Sequence, residues 1–129
     1  MPGAPKIELG IVDVRDVAQA HLLALKISEA KNKRFVLCAG SLWFSQICET
    51  LKIQYPNHKV KSDELGLGMA KFASWFDKSM KNIIKKWGKD TKFDNSRSKN
   101  VLGLDYYEPK QSILAMAESL FESGQVTRK

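Results

Sequence analysis

The chain is short of the features that most quickly assign a protein to a class. Only two cysteines occur in 129 residues, Cys38 and Cys48. A disulfide-stapled secreted scaffold is therefore excluded, and both thiols read as small apolar residues of a reducing compartment, with a cytoplasmic location expected. No apolar run approaches the roughly 20 residues that span a bilayer, so no transmembrane segment is expected. The opening Met-Pro-Gly-Ala-Pro-Lys6 lacks an apolar stretch behind a basic one, and no secretory leader is expected there. Glycine is sparse where nucleotide chemistry would need it. Gly66-Leu-Gly68 is the sole Gly-x-Gly, and neither a third glycine nor a strand accompanies it, so it reads as a hinge-like link. Internal repeats and low-complexity tracts are absent too.

What remains is a globular composition, 43% hydrophobic and 27% charged, enough for one unit with its own core. The net charge of +7 would attract phosphate or acidic surfaces. Its lysines are nevertheless spread along the chain, at 31, 33, 59, 61, 78, 81, 85, 86, 89 and 92. Solvated helix faces explain that spacing better than a nucleic-acid site, and nucleic acid is not the expected partner.

The most informative stretch runs from Gly10 to Leu25. Ile11, Val12 and Val14 give a β-branched strand over 9–14. Asp16 stands where a helix N-cap belongs. Val17, Ala20, His21, Ala24 and Ile27 then recur at helical spacing, which places His21 on an inner, packed face. A second strand is expected at Arg34–Cys38, apolar on both faces through Phe35, Val36 and Leu37. Residues 9–38 thus read as strand–helix–strand, and 41–124 as mainly helical. Ser41 would open a helix that buries Phe44, Ile47, Cys48, Leu51 and Tyr55. One long amphipathic helix is expected at 70–87, with Phe72, Trp75, Phe76, Met80, Ile83, Ile84 and Trp87 on its stripe. A short piece ends at Gly103, and a last helix runs from Pro109 to Gly124, burying Ile113, Met116, Ala117, Leu120 and Phe121. Two strands alone leave a sheet incomplete, so a neighbour is expected to flank residues 34–38.

Few side chains combine into chemistry. His21 and His58 have no ligand-spaced partners, and no metal site is expected. Asp13 and Asp16 could form an acid/base pair, but at a strand-to-helix turn they favour capping and an ion pair with Arg15.

In its order of motifs the chain resembles extended short-chain dehydrogenase/reductases of the dihydroflavonol reductase and cinnamoyl-CoA reductase-like branch, within the NAD-dependent epimerase/dehydratase superfamily. The residues that carry the resemblance are Val12-Asp-Val-Arg-Asp-Val-Ala-x-Ala-His21, Lys33-Arg-Phe-Val-Leu37, Trp43-Phe-Ser-Gln-Ile-Cys-Glu-Thr-Leu51, Tyr55-Pro, Lys59-Val and Phe93-Asp-Asn-Ser-Arg-Ser-Lys-Asn-Val-Leu-Gly103. In that family the first motif lies late in the chain. The resemblance therefore implies a single incomplete unit over 1–129, the C-terminal part of a Rossmann-type α/β reductase, with a late sheet strand at 34–38 joining a missing N-terminal nucleotide-binding sheet. It further implies an NAD(P)-dependent oxidoreductase acting on a small ketone or aldehyde, with NADP or NAD bound by the parent and none by this chain alone.

The catalytic Tyr-x-x-x-Lys of such reductases pairs a proton-donating Tyr with a Lys one helical turn on. Tyr55-Pro-Asn-His-Lys59 and Tyr106-Tyr-Glu-Pro-Lys110 match the letters, but a proline interrupts each. No catalytic or cofactor-binding residue is assigned, and Asp13, Arg15, Asp16 and His21 are read as a structural motif. The isolated chain is expected to be catalytically silent and to self-associate through its unpaired strand. A non-enzymatic basic module that binds a protein or anionic partner is the alternative, resting on the charge and the aromatic helix.

Overall fold

The computed structural model describes residues 3–76 and 78–127, without the side chains of 72–74, 76 and 78–80. Two short strands, β1 (Glu8–Ile11) and β2 (Gly40–Trp43), pair antiparallel with Leu9 opposite Leu42 and Gly10 opposite Ser41. Between them lie helix α1 (Val14–Lys26) and a single 3₁₀ turn (Ser28–Ala30). Helix α2 (Phe44–Gln54) follows β2 directly. The remainder is helical: α3 (Leu67–Phe76), α4 (Lys78–Lys85), α5 (Ser96–Leu102) and α6 (Pro109–Glu122). Among the described residues no helix is long and apolar enough to cross a membrane.

Helix α1 begins three residues earlier than the sequence suggests. Asp13, extended at φ −75° and ψ 143°, is the N-cap, and its Oδ1 accepts the Arg15 N–H at 2.9 Å. Asp16 is instead a buried residue of the first turn, where a negative charge suits the positive end of the helix dipole. Its Oδ2 accepts the N–H of Tyr107 at 3.1 Å, tying α1 to the connection before α6.

The inner face of α1 supplies Ala20 to the main core, with Ala30, Leu102 and Leu104, and Leu23, Ile27, Phe35, Leu37 and Tyr106 packed around them. His21 is not part of that face. It is exposed, and its Nδ1 lies 2.7 Å from the Val17 carbonyl oxygen of the preceding turn, which fixes the proton on Nδ1.

The expected strand at 34–38 makes no ladder. Residues 33–38 take no regular secondary structure, and among the described residues no hydrogen bond is made by the backbone N–H or C=O of Phe35, Val36 or Leu37. The antiparallel partner of β1 is residues 40–43, because after Ala39 donates its N–H to the Ile11 carbonyl the chain runs on alongside β1. Ser41 therefore lies within β2 rather than opening a helix. Its hydroxyl donates to the Thr91 carbonyl at 2.8 Å, while α2 starts at Phe44 with the Trp43 N–H bonded to Gln46 Oε1. Gly10 is required by a close approach. A Cβ there would stand 2.4 Å from the Phe93 ring and 3.2 Å from Cys38 Sγ.

The expected single helix at 70–87 is two helices that fold back. Ala70 is fully buried and packs with Leu65 against Ile83, Ile84 and Trp87. In one straight helix Ala70 and Ile83 would be about 20 Å apart along the axis. Burying both on each other requires reversal. Phe72, Phe76 and Met80 of the expected stripe lie outside the described side chains, and Trp75 is exposed. Gly88 (φ 67°), Gly103 (φ 65°) and Gly124 (φ 72°) take the left-handed conformation where helical segments end.

Candidate functional site

The β1–α1 turn, α2 and α6 enclose a groove of about 680 Å³. Its walls are Leu9 and Ile11 from β1, Phe44 and Ile47 from α2, and Ile113 and Met116 from α6. It arises because α2 and α6 pack on each other below a ladder only two strands wide. That size falls within the few hundred to about 1,000 Å³ common for small-molecule sites.

One polar cluster closes the groove at the N-terminus of α1. Arg15 grips Asp13 in a two-pronged ion pair, Nε to Oδ1 and Nη2 to Oδ2, both at 2.8 Å. The guanidinium also lies over the Tyr107 ring, 3.9 Å from its centroid. The Arg15 hydrogen bond holds the Asp13 carboxyl well below the usual carboxylate range, against the opposing effect of burial, and a bond from the Ser112 hydroxyl adds to the lowering. Arg15 is correspondingly pushed above its ordinary value by the same bond. Asp13 is buried, whereas half of the Arg15 side chain is open to water.

A carboxylate bound in this way is a poor proton acceptor. Its charge is already shared between a guanidinium and a backbone N–H. The cluster can orient a polar group beside the groove, and with Tyr107 it ties the start of α1 to the connection before α6. As an acid/base pair it is disfavoured, since Asp13 and Asp16 bond different partners.

The structure therefore gathers Asp13, Arg15 and Asp16 into one junction and leaves His21 apart from it. Neither Tyr-x-x-x-Lys string forms a pair. The Tyr55 hydroxyl bonds Glu118 Oε2 at 3.0 Å with its ring edge-on to Phe121, and the Tyr106 hydroxyl shares a 2.7 Å bond with the fully buried Ser98. Among the described residues no group of three or more His, Cys, Asp or Glu could hold a metal ion. Sequence reasoning missed Tyr107 and Ser112. The proline-led start of α6 places Ser112 on a buried turn, and the spacing Ser112, Met116, Ser119 was the available signal for a second lined face.

Two places where a dinucleotide phosphate could be sought do not suit one. At the β1–α1 turn, where a phosphate would sit at a helix N-terminus, the chain presents Asp13, an anion already capping that helix. Gly66 and Gly68 have open space around them and flank the start of α3 with no strand before it.

No protein-family model matches the chain. It is similar to an oxidoreductase of Schizosaccharomyces pombe, 31% identical over 116 residues that cover 88% of this chain and 29% of that protein. It is also similar to the ketoreductase azaE of Aspergillus niger, 29% identical over 95% of this chain and 32% of the relative. Among solved structures, Gre2 of Candida albicans superposes with a TM-score of 0.67 at 29% identity, over 95% of this chain and 33% of that one. The same protein has been solved in complex with NADPH. The chain thus spans about three tenths of the length of the curated relatives it matches. Its fold is the α/β fold of part of a Rossmann-type reductase, and its homologues are oxidoreductases.

Proposed function

We propose that this chain is the substrate-side, C-terminal third of an NADPH-dependent reductase of small ketones or aldehydes. One observation carries the reading: nearly the whole chain aligns, at about 30% identity, with proteins named as oxidoreductase, ketoreductase and Gre2. The resemblance to the dihydroflavonol reductase-like branch of extended short-chain dehydrogenases agrees with that alignment.

Within this reading the chain shapes the substrate site and the chemistry lies elsewhere. The groove offers hydrocarbon on its walls through Phe44, Ile47, Ile113 and Met116, suited to the alkyl or aryl part of a carbonyl compound. The Arg15–Asp13 pair at its mouth supplies fixed dipoles rather than a mobile proton. NADPH binding and hydride transfer are assigned to the rest of the protein, a reading supported by Asp13 capping the helix end where a phosphate would otherwise sit.

The test is a chimera in which this chain replaces the matching third of Candida albicans Gre2. It should bind NADPH and reduce small carbonyl compounds, with a substrate preference that Met116→Ala and Ile47→Ala alter. The chain alone should show no saturable NADPH binding by calorimetry. A folded, NADPH-binding chimera without turnover on any carbonyl, or one whose preference ignores both groove variants, refutes the reading.

A further inference from the structure

Helices α3 and α4 form a unit of their own. They pack on each other around Leu65, Ala70, Ile83, Ile84 and Trp87, a cluster separate from the core that α1 shares with α5. Both ends of the pair are rooted in the N-terminal segment. The Ala4 carbonyl accepts the Leu65 N–H at 2.8 Å, and the Lys6 carbonyl accepts the Gly88 N–H at 2.8 Å. The outer sides of the two helices are therefore held in place without being used by the main core.

Two kinds of group occupy those outer sides. On α3, Ala70 faces inward, and Leu67, Lys71 and Trp75 follow at four-residue intervals along an exposed side. Leu67 is 41% exposed, Met69 59% and Trp75 83%. On α4, Ile83 and Ile84 face inward. Lys81 and Lys85, one turn apart, are exposed, as are Lys86 and Lys89 just beyond the helix. Among the described residues no ion pair engages these four lysines. Residues 65–92 carry seven lysines against two aspartates, so +5 of the chain's net +7 resides here.

We infer that the α3–α4 pair docks on an anionic lipid surface, with the α3 row at the level of the headgroups and the lysines holding it there by charge. The inference is independent of the proposed function. A tryptophan in water keeps a large apolar ring exposed, and the ring's preferred place is the boundary between headgroups and hydrocarbon. Leu67 and Met69 add apolar area, and the lysines supply attraction to phosphate-bearing lipids. Helices of 10 and 8 residues cannot span a bilayer, so the contact is peripheral. A nucleic acid would satisfy the lysines but has no hydrocarbon for Leu67 and Met69. A second copy would set two +5 segments against each other. An acidic protein would need an apolar surface shaped to the α3 row, whereas a lipid surface offers hydrocarbon and negative charge together without one.

The test is flotation of the purified chain with vesicles of phosphatidylcholine, either pure or with about a third phosphatidylserine. The chain should float with the mixed vesicles and not with the pure ones, and it should be released between about 0.05 and 0.5 M salt. Lys81→Gln, Lys85→Gln and Lys89→Gln should each weaken binding about fivefold. Trp75→Ser should weaken it about tenfold and remove a blue shift of the tryptophan emission. The lysine variants should leave the melt of the chain unchanged; where Trp75→Ser lowers it, Leu67→Ser on the same row takes its place. The double variant Leu22→Gln/Leu25→Gln, on the outward side of α1, is the control and should bind as the wild type does. Four results overturn the inference: no binding to the mixed vesicles at low salt, equal binding to both kinds of vesicle, binding unmoved by the lysine and α3-row variants, or binding lost in the control. Tighter binding of RNA or polyglutamate that ignores Trp75→Ser would equally refute the lipid assignment.

Discussion

The N-terminal end of α1 and its outward flank are a few residues apart and differ in almost every physical respect. At the N-terminus Asp13 and Asp16 are buried, each with its hydrogen bonds made inside the chain, to Arg15 and to Tyr107. On the outward flank Val14, Leu22 and Leu25 lie in water, and the nearby backbone of 35–37 makes no hydrogen bond among the described residues. Buried polar groups stay buried only when satisfied, whereas apolar groups cost less to leave exposed one by one. The junction is thus a finished piece of structure and the flank an unfinished one. Substitutions at the two should differ in kind, with effects on the folded state at the junction and core, and effects on association at the flank.

The largest loss of stability should come from the core that α1 shares with α5. Leu102 is 3% exposed and packs with Ala20, Ala30 and Leu104. Leu102→Ala should cost about 2–4 kcal/mol, measured by urea denaturation, because so small a core has little means of closing the cavity. An effect equal to that of a flank substitution would mean that this cluster is no true core and would erase the contrast between the two regions.

Next comes the cap. Asp13→Ala should cost about 1–2 kcal/mol through loss of the N-cap bond and the ion pair. The pH dependence has a definite direction. Because folding lowers the Asp13 pKa, its contribution is complete above the ordinary carboxylate value near 3.8 and disappears as pH falls toward the depressed folded value. Wild type and Asp13→Asn should therefore differ most in stability at neutral pH, the difference beginning to shrink as pH falls through the ordinary value of 3.8 and vanishing only toward the depressed folded value. Asp16→Ala should instead strand the Tyr107 N–H, with no loss of the cap.

The sequence disclosed the order of helices because their stripes are periodic and their ends are punctuated by Pro109, Gly103 and Gly124. It misplaced features whose outcome depends on distant partners. Asp13 and Asp16 are equally good caps by composition, and only the pairing of Asp16 with Tyr107, far along the chain, decides between them. Residues 34–38 have the composition of a buried strand, but strand formation needs a neighbour, and among the described residues none pairs with 35–37. The stripe at 70–87 has one period throughout and gives no sign of reversal. The groove was hidden for a related reason: Phe44, Met116 and Ile11 come from three elements, and no local pattern relates them.

A smaller effect should follow from removing the stacking under Arg15. Tyr107→Leu keeps the backbone N–H that Asp16 accepts and leaves the Asp13 ion pair intact. It removes only the ring 3.9 Å from the guanidinium, for about 0.5–1 kcal/mol at this half-exposed site. A loss several times larger would show that Tyr107 anchors the junction as a whole, and that its closure depends on one aromatic side chain rather than on the carboxylates.

The smallest effect on stability belongs to the flank, and it sharpens the comparison most. Leu22→Gln and Leu25→Gln replace exposed leucines by residues of similar helix propensity, so each should change the unfolding free energy by less than about 0.5 kcal/mol. Their effect should show in solution behaviour instead. With 53% and 86% of these side chains already in water, the double variant removes most of the large apolar surface of the flank. Dye binding and concentration-dependent association of the isolated chain should fall together, as judged by fluorescence and sedimentation. If stability fell by as much as in Asp13→Ala, the flank would be covered by this chain itself, and the distinction between a finished and an unfinished side of α1 would have to be abandoned.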